Sequence, residues 1–266
     1  MFPEGHTYMK ITMKDWLIVA FLLLAGIALM VMAKTPAQAA TVNHYSSTEQ
    51  QIGLLELYTS EGCSSCPPAD RWLSSLLQNE GLWQHFIPIA LHVDYWDYIG
   101  WKDRFASHRY SARQRQYARQ AAVPTVYTPG FVYNGAEWRQ WRAGRSPDFS
   151  THNTPGILQL KLDGQKAELI FAATQTTPQA LHANLALLGF DLHTVVTAGE
   201  NRGKQLAQNF VVLGINQARM TGENNLYSGH LDLPVSAMVA PRYAAVAWVN
   251  ELNRQGPLQA VGGWLP

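Results

Sequence analysis

Apolar and polar positions along this chain follow two different patterns, and the change falls near residue 150. In the first half, residues 52–58 form a short apolar run interrupted only by Glu56, and residues 87–93 form a second. Continuous runs this short predict strands buried on both faces, as in the middle of a parallel sheet. Between them Trp72, Leu73, Leu76 and Leu77 recur at helical spacing behind Pro67-Pro68, a pair suited to a helix's first turn. A long connection over residues 94–123 contains a second predicted helix at residues 107–121. The run Tyr127-Thr-Pro-Gly-Phe-Val-Tyr-Asn-Gly135 predicts a strand entered through Pro129 and closed by an Asn-Gly hairpin turn. Strands alternating with helices predict an α/β layer with a parallel centre.

After Gly144-Arg-Ser-Pro147 the texture changes. Short β-like runs lie at residues 157–162, 167–173, 185–189, 193–197, 210–215 and 244–249, separated by turns such as Asp163-Gly164 and Glu200-Asn-Arg-Gly203. Helical periodicity is confined to a possible turn at residues 178–181. This half predicts a small all-β, sandwich-like domain. The expected organisation is an N-terminal segment at residues 1–39, an α/β domain at 50–150 and a β-rich domain at 155–266.

The N-terminal segment sets the expected compartment. Lys10 and Lys14 precede an uncharged apolar run at residues 16–33, and Ala37-Gln38-Ala39 is a small-x-small triplet of the kind signal peptidase cuts. The apolar run is longer than most signal peptides and short for a membrane span, so a cleaved signal and an uncleaved anchor both fit. Either places the folded part outside the cytoplasm, with contact to a membrane only through this segment. Removing residues 1–39 takes away three basic and two acidic side chains and leaves the remaining charges balanced. A balanced chain carries no electrostatic footprint for nucleic acid or an anionic lipid surface. The arginines at 104, 109, 113, 115 and 119 read as a solvated helix face.

Cys63 and Cys66 are the only cysteines, and the pattern puts them on a strand-to-helix turn. A bridge closing so short a loop removes little chain entropy, so a purely structural disulfide accounts poorly for the pair. At a helix start the dipole and unpaired backbone N–H groups favour a thiolate. Cys63 is therefore the expected nucleophile, and Cys66, one turn inside, the resolving thiol. The stretch from His92 to Asp103 leaves a strand end, so Asp94 and Asp97 are candidates to lie near the cysteines, with Asp94 relaying protons for Cys66. Tyr95, Trp96, Tyr98 and Trp101 could floor a peptide groove, giving Trp96, Asp97 and Trp101 as candidate substrate contacts. The alternative is that the aromatics pack the loop down while the acids cap the next helix.

The cysteine-bearing turn followed by a proline-led strand resembles the thioredoxin superfamily. That resemblance implies a thioredoxin-like first domain with Thr128-Pro129 at the cis-proline position beside the disulfide. The chain is also identified as similar to the domain-of-unknown-function family 1223. Ser60-Glu-Gly-Cys-Ser-Ser-Cys-Pro-Pro-Ala-Asp70, His92-Val-Asp-Tyr-Trp-Asp97 with Gly100, Trp101 and Asp103, and Tyr127-Thr-Pro129 with Asn134-Gly135 carry the match. Gly199, Glu200, Asn201 and Gly203, and the closing Gly262-Gly-Trp-Leu265, agree as well. The family implies an exported protein with a thioredoxin-like and a β-rich part, and supplies no activity.

Three functions follow as expectations. The first is an extracytoplasmic thiol–disulfide oxidoreductase acting on protein thiols, with Pro129 and the Thr128 backbone shaping the substrate groove. It needs protein substrates, a redox partner and no cofactor. The second is a copper-binding or chaperone protein using Cys63, Cys66 and His92. The third is a non-catalytic interaction module. Zinc in a four-cysteine site is excluded by the cysteine count.

Overall fold

The computed structural model describes residues 42–175 and 180–266. The segment read as a signal or anchor, residues 1–39, lies outside the described residues, as do residues 178 and 179 of the possible turn at 178–181. Among the described residues there are fifteen strands and two α-helices, and no helix is long and apolar enough to cross a membrane.

The chain opens with β1 (Val42–Ser46) and β2 (Gly53–Thr59), followed by the cysteine turn and helix α1 (Pro67–Ser75). Strand β3 (Phe86–His92), helix α2 (His108–Arg119), β4 (Gly130–Tyr133) and β5 (Ala136–Trp138) complete the first half. Strands β2 and β3 pair in parallel over their full length, and β4 adds antiparallel to β2. The expected Asn134-Gly135 turn joins β4 to β5, with φ of 48° and 86°, the double left-handed geometry that this dipeptide tolerates.

The second half continues with β6 (Gly156–Asp163), β7 (Lys166–Ala173), β8 (Leu181–Phe190), β9 (Leu192–Val195) and β10 (Gln205–Gln208). It ends with β11 (Val211–Arg219), β12 (Thr221–Glu223), β13 (Leu226–Asp232), β14 (Arg242–Glu251) and β15 (Pro257–Trp264). An eight-stranded mixed sheet runs in the order β15-β14-β8-β11-β3-β2-β4-β5, and a five-stranded sheet in the order β1-β6-β7-β13-β12.

This topology overturns the expected fold class. An α/β thioredoxin-like domain followed by a separate small sandwich would end one sheet before residue 150 and begin another after it. Instead β11 joins β3 in parallel, with the Ala90 N–H donating to the Phe210 carbonyl at 2.8 Å. The larger sheet thus takes strands from both halves, the described residues form one compact unit, and they are mostly β. The physical reason lies in β8 and β14. Their alternate residues Leu181, Ala183, Leu185, Ala245, Ala247 and Val249 pack against the five-stranded sheet. The intervening Ala186, Leu188, Ala244, Val246 and Trp248 join the core built around β2 and β3. Strands buried on both faces belong to the centre of a structure. By contrast β6 alternates buried and exposed positions, as a one-faced outer sheet does.

The arginine-rich helix also departs from expectation. The Arg113 side chain is only 10% exposed, and its Nε and Nη2 donate to Glu56 Oε2 and Oε1 at 2.7 and 2.9 Å. Tyr117 and Tyr58 donate their hydroxyls to the same carboxylate. Glu56, the one polar break in the β2 pattern, is thus the acceptor that brings α2 onto the sheet.

Candidate functional site

Strand β2 delivers the chain into the turn that holds the cysteines. Cys66 is the N-cap of α1, with prolines in the first helical turn, and its carbonyl accepts the backbone N–H groups of Ala69 and Asp70. Cys63 lies one turn ahead of the helix, its own carbonyl accepting from the Cys66 N–H at 3.2 Å. Both are free thiols and buried, Cys63 being 1% exposed between the exposed Ser64 and Ser65 and the protein core.

The two sulfurs are electrostatically unequal. Hydrogen bonding from the Cys66 thiol is the largest influence on Cys63. Together with the Ser65 and Thr128 hydroxyls it outweighs burial and lowers the Cys63 pKa to about 6. Burial is the largest influence on Cys66, and with its donation to Cys63 it pushes that thiol well above the ordinary range. The Cys63 sulfur lies 3.3 Å from Ser65 Oγ. The Thr128 Oγ1 accepts the Trp96 indole N–H at 2.6 Å, which leaves its own proton free for the sulfurs. The Thr128–Pro129 peptide is cis, and Pro129 is buried.

Beneath the cysteines lies a set of buried ionisable groups. Asp70 sits one turn beyond Cys66 and accepts the Thr59 hydroxyl at 2.8 Å, and burial raises its pKa to about 7. His92 Nδ1 lies 2.6 Å from Asp103 Oδ2, while its Nε2 is buried without a hydrogen-bond partner. Burial alone would lower His92, but the Asp103 charge and hydrogen bond prevail and raise it to about 9. Asp103 also accepts the backbone N–H groups of Glu61 and Phe105. Burial and the charge of Asp103 raise Glu61, whose Oε2 accepts the Trp101 indole at 2.9 Å.

The turn itself is held from the far half of the chain. Asn201 Nδ2 donates to the carbonyls of Glu61 and Cys63 at 2.8 and 2.9 Å, and Glu200 Oε2 accepts the Ser64 N–H at 3.2 Å. On its other side Gly62 lets the Trp96 segment approach the turn closely, since a Cβ there would stand 3.3 Å from Trp96 Cβ. Because Asn201 is fully buried, Asn201→Ala should destabilise the protein by about 2 kcal/mol, leaving two carbonyls without their donor. Faster alkylation of Cys63 should accompany the lower melting temperature; an unchanged rate would show that the clamp does not restrain the turn.

The expected site residues separate into two groups. Cys63, Cys66, Thr128 and Pro129 come together, with Trp96 bonded to Thr128. Asp94 does not join them: it accepts the Ser111 hydroxyl and approaches His108 Nδ1 at 3.3 Å, both on α2. Partial burial opposes its ionisation, but these bonds prevail and lower its pKa. Asp97 accepts the Asp103 N–H at 3.2 Å, and Trp101 is committed to Glu61. The acid-and-aromatic loop thus ties itself down as much as it borders the cysteines. The copper alternative loses its geometry as well. Among the described residues no group of three His, Cys, Asp or Glu side chains is arranged to hold a metal, and His92 is engaged with Asp103.

Sequence reading missed Asp70, Thr59 and the Asn201 clamp. Asp70 stands four residues after Cys66 and three before the buried Leu73, so an acid on the apolar face of α1 was its available signal. Glu200 and Asn201 read as ordinary turn residues, and nothing local revealed their long-range contact.

The family described as "Protein of unknown function (DUF1223)" matches residues 54–250. No curated protein matches the chain. A crystal structure of a protein from Agrobacterium tumefaciens is similar at 22% identity and a TM-score of 0.56, covering 82% of this chain and 94% of that one. HBP35 of Porphyromonas gingivalis is similar at 13% identity and a TM-score of 0.57, covering 82% and 76%. At these identities the two structures speak to the fold alone.

Proposed function

We propose that this protein, which belongs to the DUF1223 family, is a thiol–disulfide oxidoreductase that exchanges disulfides with protein thiols outside the cytoplasm. The observation that carries the reading is the unequal cysteine pair: two free thiols at one helix start, with hydrogen-bond donors prevailing at Cys63 and burial prevailing at Cys66. In the reducing direction the Cys63 thiolate attacks one sulfur of a substrate disulfide. A mixed disulfide forms and the other substrate sulfur leaves as a thiolate that takes a proton from water. Cys66 then loses its proton and attacks the Cys63 sulfur, releasing the second substrate thiol and leaving the Cys63–Cys66 disulfide. The same steps in reverse oxidise a substrate dithiol.

Asp70 is the group suited to take the Cys66 proton. It is buried beside that thiol on the same helix, and its pKa of about 7 lets it exist in either form at neutral pH. Asp70→Asn should slow the second step by roughly a hundredfold while leaving mixed-disulfide formation near normal. Stability provides a second readout. A carboxyl whose folded pKa lies above its unfolded value binds more protons when folded, so it makes stability fall as pH rises from about 4 towards about 7. Asp70→Asn should remove that fall and be the more stable protein above pH 7, as melting curves across pH would show. A variant with an unchanged second step and the same pH slope would remove Asp70 from the mechanism.

The primary test is reduction of insulin by the dithiol form and refolding of a reduced protein by the disulfide form. Activity in either direction that is lost on alkylating Cys63 is the expected result. Inactivity in both would reject the oxidoreductase in favour of the interaction module.

A further inference from the structure

Pro129, next in the chain to Thr128, lines a surface cavity of about 300 Å3 together with Thr125, Tyr127, Arg139, Trp141 and Arg142. Its walls are fixed. Trp141 packs on Phe131 with ring centroids 5.7 Å apart, and Phe131 in turn packs on Trp72 of α1 and on Trp138. Tyr127 donates its hydroxyl to Glu137 Oε1 at 2.7 Å, and Arg139 Nε lies 2.8 Å from Glu137 Oε2. Arg139 is thus already neutralised. Arg142 is exposed, its guanidinium lies 5.2 Å from the Trp141 ring centre, and it has no carboxylate partner among the described residues. The cavity therefore presents aromatic walls, one uncommitted guanidinium and an edge, Pro129, that adjoins the residue whose hydroxyl reaches both sulfurs.

We infer that this cavity is a substrate subsite that takes an acidic side chain flanking the reactive cysteine of a polypeptide substrate. The inference rests on the thiol–disulfide reading above and adds to it a class of substrate. A carboxylate matches the planar fork of an arginine in two parallel hydrogen bonds, and Trp141 and Tyr127 would cover its methylene stem. The cavity is at the small end of ligand sites and fits one side chain rather than a folded partner.

The test uses the full chain and two synthetic peptides, each with one cysteine flanked by two residues on either side: glutamates in one, lysines in the other. Peptide disulfides and the neutral hydroxyethyl disulfide serve as substrates, and serine versions of both peptides serve as redox-inert ligands. The glutamate peptide should react about tenfold faster than the lysine peptide. Arg142→Glu should abolish or reverse that preference and leave turnover of hydroxyethyl disulfide unchanged. Equal rates for the two peptides, with hydroxyethyl disulfide still turned over, would overturn the subsite and spare the oxidoreductase. If wild-type protein turns over no disulfide, the oxidoreductase reading fails and the serine peptides decide the subsite. Tighter binding of the glutamate form, lost in Arg142→Glu, supports it, and equal binding overturns it.

Discussion

Cys66→Ser is expected to accumulate stable mixed disulfides with substrate proteins through Cys63, while Cys63→Ser accumulates none and loses turnover by on the order of a thousandfold or more. The asymmetry follows from the surroundings of each sulfur. Cys63 gathers hydrogen bonds from Cys66, Ser65 and Thr128, each of which favours the thiolate, and the thiolate is the attacking species. Burial and its donation to Cys63 keep Cys66 a thiol, so it reacts only with a sulfur delivered to it by Cys63. Removing Cys66 therefore stops the sequence after the first bond has formed. Removing Cys63 stops it before any bond forms. Non-reducing gels of each variant, incubated with the reduced and oxidised protein contents of the cell envelope, provide the measurement. Equal trapping by the two variants would contradict the division of roles.

The largest expected effect on stability lies away from the cysteines. Arg113→Met should cost about 3–5 kcal/mol, because it leaves the Glu56 carboxylate buried without its counter-charge. For a unit of this size that corresponds to a fall in melting temperature of roughly 10 °C. Glu56 is fully buried and is held on both oxygens, by Arg113 and by the hydroxyls of Tyr58 and Tyr117. Glu56→Gln with Arg113→Met should recover part of the loss, since the amide needs no counter-charge and still accepts one hydroxyl. A double variant as unstable as the sum of its parts would show that the two residues act separately. The Arg113 guanidinium also contacts Gln255, from the loop between β14 and β15. The ion pair therefore binds the two halves of the chain as well as α2 to the sheet.

These two regions also show what the sequence made legible. Local patterns were readable because they are set by neighbours in the chain. The apolar runs became β2 and β3, the helical spacing behind Pro67-Pro68 became α1, and Asn134-Gly135 closed its hairpin. The cysteines on a strand-to-helix turn belong to the same class of signal. Long-range pairing was not readable. Nothing in residues 210–215 states that the strand they form will lie parallel to β3, and the doubly buried faces of β8 and β14 appear in the sequence only as apolar runs. The expected thioredoxin-like domain with a detached sandwich failed at that step. The candidate site divides in the same way. Cys63, Cys66, Thr128 and Pro129 were visible as motifs. Asp94 attracted attention through its neighbours His92, Trp96 and Asp97, yet it faces α2. The buried acid beside Cys66 is Asp70, whose only mark is its place on the apolar face of a helix. Asn201 was invisible because its role depends on a contact across 138 residues of chain.

The proposed mechanism requires Cys63 to carry a stabilised thiolate in the reduced protein. Ultraviolet thiolate absorbance, titrated with pH in the reduced wild-type protein and in Cys63→Ser, measures this without requiring access to the sulfur. The wild-type protein should show a thiolate appearing with a midpoint near pH 6 that is absent from Cys63→Ser. A wild-type titration with no thiolate below the range of an ordinary cysteine, near pH 8.5, would rule out Cys63 as the stabilised nucleophile.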